Sequence, residues 1–212
     1  MMNKTELLKG LYVITDRPLC LERSMPVDKM AALAIAGGAR IIQYRNKQSP
    51  QAVRLYEANL LAELCSKMDA ILLINDDLEI AMQVDAHGVH LGQDDMSLIE
   101  ARQRLGENKI IGITCHDSLQ LAREAEQGGA DYVAFGSFYP STSKPSAPRA
   151  SVNTLQQARE ELSIPLCAIG GITLENAPQL IQHGAQMLAV VNGVFGAWNI
   201  SRTATSYMKL FD

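Results

Sequence analysis

Several things are scarce in this 212-residue sequence. Its cysteines, Cys20, Cys65, Cys115 and Cys167, stand far apart with no C-x-x-C pair. That spacing fits neither a disulfide framework nor a zinc site, so all four read as reduced core thiols, with Cys115 alone near expected chemistry. Long apolar runs are missing as well. The runs present are four to six residues long, too short to span a bilayer, and the N-terminal Met-Met-Asn-Lys-Thr-Glu carries no apolar signal region. The expected location is cytoplasmic, with no membrane partner. There is no basic arm, and a net charge of −4 with a pI near 5.6 argues against a nucleic-acid partner. No G-x-G-x-x-G frame surrounds Gly170-Gly171, so a Rossmann fingerprint is absent. No Ser–His–Asp or Cys–His pattern is visible at the level of motif. There is no linker or low-complexity stretch, and 47% hydrophobic residues supply one sizeable core. Residues 1–212 therefore read as one domain.

What is abundant is a repeated alternation. Short β-rich runs occur at Leu11–Thr15, Arg40–Tyr44, Ala70–Ile74, Gly88–Leu91, Ile110–Ile113, Asp131–Phe135, Pro165–Ile169 and Met187–Val191. They are apolar at nearly every position, as parallel strands covered on both faces are. Helical stretches separate them. Ser49-Pro50 reads as an N-cap followed by proline, Ser97-x-x-Glu100 and Asp117-x-x-Gln120 as capping boxes, and Thr173 as the cap of 174–182. Gly38-Ala39, Gly129-Ala130 and Gly184-Ala185 mark helix ends before the next strand. Eight such units in about 200 residues predict a (β/α)8 TIM barrel.

In that fold the loops after the strands converge on one face, where active sites sit. Arg45 and Lys47 follow the second strand; on an extended strand end they alternate with Tyr44 and Asn46 and point the same way. Asn75, Asp76 and Asp77 follow the third, and Gln93, Asp94 and Asp95 the fourth. Adjacent strands bring Asp76 and Asp95 close enough to share one ion, and magnesium suits one or two carboxylates with waters and phosphate oxygens. One aspartate of each pair also reads as a helix cap. Thr114 and His116 follow the fifth strand, His116 as a base or as a loop-orienting residue. His90, inside the fourth, reads as a hydrogen-bonded interior imidazole that positions its neighbours. His87 and His183 read as surface or capping residues. The stretch Gly136-Ser-Phe-Tyr-Pro-Ser-Thr-Ser-Lys144 offers hydroxyls and an ammonium that suit a phosphate or diphosphate. Gly170-Gly171 and Val191-Asn192-Gly193 stand where many barrels bind a second phosphate, although plain turn chemistry explains them equally well.

Together these segments resemble the thiamine-phosphate synthase family over essentially the whole chain. The stretches that carry the resemblance are Leu11-Tyr-Val-Ile-Thr-Asp16, Gln43-Tyr-Arg-Asn-Lys47, Ile74-Asn-Asp-Asp77, Gly88-Val-His-Leu-Gly-Gln-Asp-Asp95, Gly129-Ala-Asp-Tyr-Val133, the 136–144 loop, Ala168-Ile-Gly-Gly-Ile172 and Ala189-Val-Val191. The resemblance implies a (β/α)8 barrel and a transferase. It would join hydroxymethylpyrimidine diphosphate to thiazole phosphate by a dissociative, magnesium-assisted route. It also implies that Gln43, Tyr44, Arg45, Asn46, Lys47, Asn75 and Lys144 bind the pyrimidine diphosphate, with Arg45, Lys47 and Lys144 neutralising the leaving group. Asp76 and Asp95 would hold Mg2+. Ser141, Thr142 and Ser143, with Gly171 and the Val191-Asn192 backbone, would hold the thiazole phosphate.

The sequence departs from the family pattern at a few places. Thr114, a substrate-binding position, stands where serine is common, and Ser141 and Ser143 where threonines are usual. Asn192-Gly193 replaces a serine-led pair, and Pro145 follows Lys144 directly. Two other readings remain. The thiazole tautomerases share the barrel and use a histidine near His116, and Asn192-Gly-Val-Phe195 leans their way, but Asp76 and Asp95 argue against them. A non-catalytic phosphate-binding barrel would be expected to lose Lys47, Asp95 or Lys144. Surface helices leave room for a homo-oligomer, with no patch identifiable from sequence.

Overall fold

The structure is a computed structural model and describes residues 4–140 and 149–212. Eight parallel strands close into a barrel in chain order: β1 (Gly10–Ile14), β2 (Ile41–Tyr44), β3 (Ile71–Asn75), β4 (Gly88–Leu91), β5 (Ile110–His116), β6 (Tyr132–Phe135), β7 (Leu166–Ile169) and β8 (Met187–Val190). Every run predicted from sequence is a strand, with ends that move by up to three residues. The largest change is at β5, where an irregularity between Thr114 and His116 carries the strand on to pair His116 with Phe135.

Continuous apolarity arises because each strand buries two faces. Tyr12, Ile14, Ile41, Leu73, Tyr132, Cys167, Met187 and Ala189 fill the barrel interior. Their neighbours Leu11, Val13, Ile42, Leu72, Val133, Leu188 and Val190 pack outward under the helices. The side-chain period of two thus separates two cores along one apolar run.

Helix punctuation follows the sequence in outline and corrects it in detail. Ser97 caps Leu98–Leu105 by accepting from Glu100 N. At the predicted Asp117 box the cap is Ser118, which accepts from Leu121 N. Asp117 accepts instead from Ser151 N, 2.8 Å away. Pro50, expected at the first helical position, is itself the N-cap of Gln51–Lys67 and offers no side-chain bond. Thr173 starts a turn rather than a helix: Thr173 and Asn176 exchange backbone-to-side-chain bonds, and the helix runs Ala177–Gln182. Gly38, Gly129 and Gly184 have φ of 104°, 85° and 110°, the left-handed conformation that releases each helix into the next strand. No described helix is long and apolar enough to cross a membrane.

Candidate active site

The C-terminal strand ends bring the charged residues together. Lys47 Nζ lies 2.7 Å from Asp76 Oδ2, and Asn75 Nδ2 donates to the same oxygen at 2.6 Å. The Asp76 carboxyl also lies within hydrogen-bonding reach of Asp95. Asp77 takes the capping role, accepting from Ile80 N, which leaves Asp76 for the mouth. Asp76 is held there with φ of 62°, unusual for a residue with a side chain, while its N–H donates to His90 O at 2.9 Å. Asp95 turns back to accept from Gly92 N at 2.8 Å. Burial raises the Asp76 pKa, Lys47 opposes this, and the Asp95 carboxylate adds to it; the net direction is upward.

The β2 end divides its side chains between two faces. Gln43 points into the barrel, 2% exposed, and donates to the Tyr12 hydroxyl. Tyr44 is buried on the other face of the strand, toward the helix that follows. Its hydroxyl donates to Glu57 at 2.7 Å on the following helix, and Asn46 Nδ2 donates to the same carboxylate at 2.9 Å. Asn46 Oδ1 then accepts from Gln48 N and Ser49 N. The Arg45 N–H donates to Thr15 Oγ1 at 2.9 Å. Arg45 and Lys47 thereby sit on a loop tied down from both sides. A cleft of about 500 Å3 opens between the loops after β1, β2 and β8, lined by Asp16, Arg17, Arg45, Asn46, Lys47 and Asn192 among others. Lys47 belongs to both this cleft and the carboxylate pair, which makes the two contiguous.

The expected phosphate loop is partly described. Ser141, Thr142, Ser143, Lys144 and Pro145 lie outside the described residues. The preceding flank is anchored at the end of β7, where Phe138 N donates to Ile169 O and Tyr139 N to Gly170 O, and the two flanks are joined by Ala150 N donating to Ser137 O. Gly171 has φ of 62°, and a Cβ there would lie 2.3 Å from Pro140 O, so only glycine lets these two backbones approach. Val191 precedes the four-residue helix Asn192–Phe195.

His90 is the interior imidazole expected from sequence, with Nδ1 2.8 Å from Tyr132 Oη and Nε2 2.8 Å from Thr114 Oγ1. Its ring stacks on Tyr132. His116 is exposed at the end of β5, its carbonyl accepting from Gly136 N. His87 is exposed too, and its Nδ1 accepts from Leu72 N at 3.1 Å. The four cysteines are free and buried, with the Cys65 and Cys115 thiols pushed up to about 12 by burial, which keeps them as unreactive thiols.

Sequence reasoning missed Thr15, Glu57, Tyr12 and Tyr132. Glu57 had no visible signal, being one carboxylate on the 17-residue helix Gln51–Lys67. The tyrosines had one: a hydroxyl placed in the middle of a continuous apolar strand has to find a partner.

Comparison with known proteins places the chain in a family. The family model described as thiamine monophosphate synthase matches residues 11–194. The thiamine-phosphate synthase of Marinobacter nauticus is 54% identical over 193 residues, 91% of this chain and 86% of that one. That of Thioalkalivibrio sulfidiphilus is 50% identical over 208 residues, 98% of this chain and 97% of its own. Among solved structures, the thiamine phosphate pyrophosphorylase from Pyrococcus furiosus superposes with a TM-score of 0.88 at 34% identity, covering 98% of this chain and 96% of the other.

Proposed function

Since the chain belongs to the thiamine-phosphate synthase family and is a transferase, we propose that it condenses hydroxymethylpyrimidine diphosphate with thiazole phosphate to give thiamine phosphate and diphosphate. The observation that carries the reading is the junction of Lys47, Asp76 and Asp95 beside the cleft that Arg45 lines. In the proposed reaction the bond between the pyrimidine methylene carbon and the diphosphate oxygen breaks, and the electron pair leaves with the diphosphate. The ring amino group donates density to the methylene carbon as it departs. The thiazole nitrogen then forms the new C–N bond.

Such a departure requires charge stabilisation more than a base. Arg45 and Lys47 supply it on the tethered β2 loop, and Lys144 is assigned the same role from the family pattern. Magnesium suits the remaining donors, because Asp76 and Asp95 crowd two carboxyls together with Lys47 as the countercharge on Asp76. Such an ion would take its other ligands from water and diphosphate oxygens. When bound, it would neutralise charge on the leaving diphosphate. Gln43 is assigned to the pyrimidine edge, Asn75 and Thr114 to the diphosphate side, and Gly171 with the Val191-Asn192 backbone to the thiazole phosphate.

The test is diphosphate release by the purified protein given both substrates, with and without magnesium, beside an Asp95→Ala variant. Release that needs both substrates and magnesium, and is lost in the variant, supports the proposal. Absence of release by a folded protein that still binds thiazole phosphate would reject it in favour of a non-catalytic barrel or a tautomerase.

A further inference from the structure

Below the mouth, a line of hydrogen bonds crosses the barrel interior. Gln43 Nε2 donates to Tyr12 Oη, and the Tyr12 and Tyr132 hydroxyl oxygens are 2.9 Å apart. Tyr132 Oη is 2.8 Å from His90 Nδ1, and His90 Nε2 is 2.8 Å from Thr114 Oγ1. The line begins on β2, passes through β1, β6 and β4, and ends on β5. Gln43, Tyr12 and Tyr132 are 2%, 1% and 0% exposed, so water is not at hand to replace a lost partner. Gly112 makes room for it, because a Cβ there would fall 2.0 Å from the Tyr132 ring. Burial raises both phenol pKa values well above the ordinary range, so each hydroxyl keeps its one proton.

One proton per hydroxyl gives the line a direction. With Gln43 Nε2 donating, Tyr12 gives its own proton to Tyr132, and Tyr132 gives its proton to His90 Nδ1. The neutral ring then carries hydrogen on Nε2 and donates to Thr114, whose hydroxyl proton is left to point elsewhere. Turning the Gln43 amide so that Oε1 faces Tyr12 reverses every bond: Tyr12 donates to the amide, Tyr132 to Tyr12, His90 Nδ1–H to Tyr132, and Thr114 to His90 Nε2. Amide orientation and imidazole tautomer are therefore one variable.

We propose that Tyr12, Tyr132 and His90 are positioning residues that couple Gln43 to Thr114, so that the amide orientation at Gln43 fixes the His90 tautomer and decides whether Thr114 offers substrate a proton or a lone pair. With Gln43 Nε2 donating to Tyr12, Gln43 keeps Oε1 and one N–H, which complement the donor and acceptor of an aminopyrimidine edge. Thr114 keeps a proton for an anionic oxygen. The ligand assignment rests on the synthase reading; the relay itself does not.

The experiment is nitrogen NMR of the full chain labelled in its histidine rings, with His90 assigned against a His90→Gln variant. The wild type is expected in a single Nε2–H tautomer. Gln43→Glu, followed over a pH series up to about 10 so that a carboxyl whose pKa burial has raised also ionises, presents only acceptors once charged and is expected to invert His90 to Nδ1–H. An unchanged tautomer overturns the proposal. Should that variant not fold, Tyr132→Phe cuts the line while keeping the ring. It is expected to leave His90 as a mixture of tautomers and to raise KM for the pyrimidine diphosphate about fivefold, the worth of one net hydrogen bond. A fall in Tm with tautomer and KM unchanged would mean a merely structural role and overturn it. The tautomer is read without substrate, so these results stand apart from whether the wild type releases diphosphate.

Discussion

Asp76 sits where a carboxylate is hard to keep ionised. It is partly buried, its backbone is left-handed, and its carboxyl faces that of Asp95. Burial and Asp95 together outweigh Lys47, so the folded-state pKa is raised. The folded chain then holds that proton more tightly than the unfolded chain does. Stability attached to the proton is present at low pH and is lost as pH rises through the folded pKa. Above it, the charged Asp76 destabilises the metal-free fold. Asp76→Asn should therefore raise Tm at neutral pH without magnesium, with Lys47 already counted in the balance, while diphosphate release is lost. The gain should shrink as pH falls below the raised pKa and be gone at the ordinary aspartate pKa, where Asp76 is neutral in the folded and unfolded chain alike. A variant less stable than wild type at neutral pH would show that Lys47 wins the balance. A stability–activity conflict of this kind is what a cation-binding pair should display.

At the scale of elements, the β2 loop owes its shape to the helix that follows it. Glu57, two turns into Gln51–Lys67, accepts from Arg17 Nη1 at 2.5 Å, from Tyr44 Oη and from Asn46 Nδ2. It thus links the loop after β1 to the loop after β2. Glu57→Gln puts an N–H2 where donors now converge, and should raise KM for the pyrimidine diphosphate about tenfold, in the range of a lost hydrogen bond to a charged group. Steady-state kinetics with Tm measured alongside checks this; an unchanged KM would mean that the loop holds itself. This loop also shows how far the sequence could be read. The strands were legible because burial on both faces forces continuous apolarity, and the mouth residues were legible because each follows such a run. Glu57 was not, since its function exists only once the β1 loop folds over the same helix. The Ser118 cap was missed for a related reason. Two adjacent residues can each cap, and the choice was made by Ser151, a residue 34 positions away that occupies Asp117. Tyr12 and Tyr132 were read as apolar strand residues because their pairing requires the barrel to close.

Across the whole molecule, the two ends of the barrel carry different burdens. At the end where strands begin, Asp131 accepts from Arg102 Nη2 at 2.6 Å, Lys4 Nζ at 2.9 Å and Ile111 N at 2.8 Å. Arg102 also donates to the carbonyls of Gly106, Lys109 and Gly129. This clasp joins the N-terminal helical turn Lys4–Leu7, the helix Leu98–Leu105 and the entrances to β5 and β6. The Arg102 and Asp131 side chains are only 12% and 13% exposed, so removing one partner strands a largely buried charge. Asp131→Ala should cost about 3 kcal/mol of stability, as breaking buried ion pairs does. The strand-end face lies at the other end of every strand, so KM and kcat at a temperature well below the transition should stay at wild-type values. Asp95→Ala, at the mouth, should behave in the opposite way, losing diphosphate release without a fall in Tm, since it relieves the charged Asp76. Thermal unfolding and steady-state kinetics of the two variants separate these expectations. A matching fall in kcat/KM for Asp131→Ala would mean that the clasp also sets the mouth, with strain transmitted along β5 and β6 to Thr114 and Tyr132.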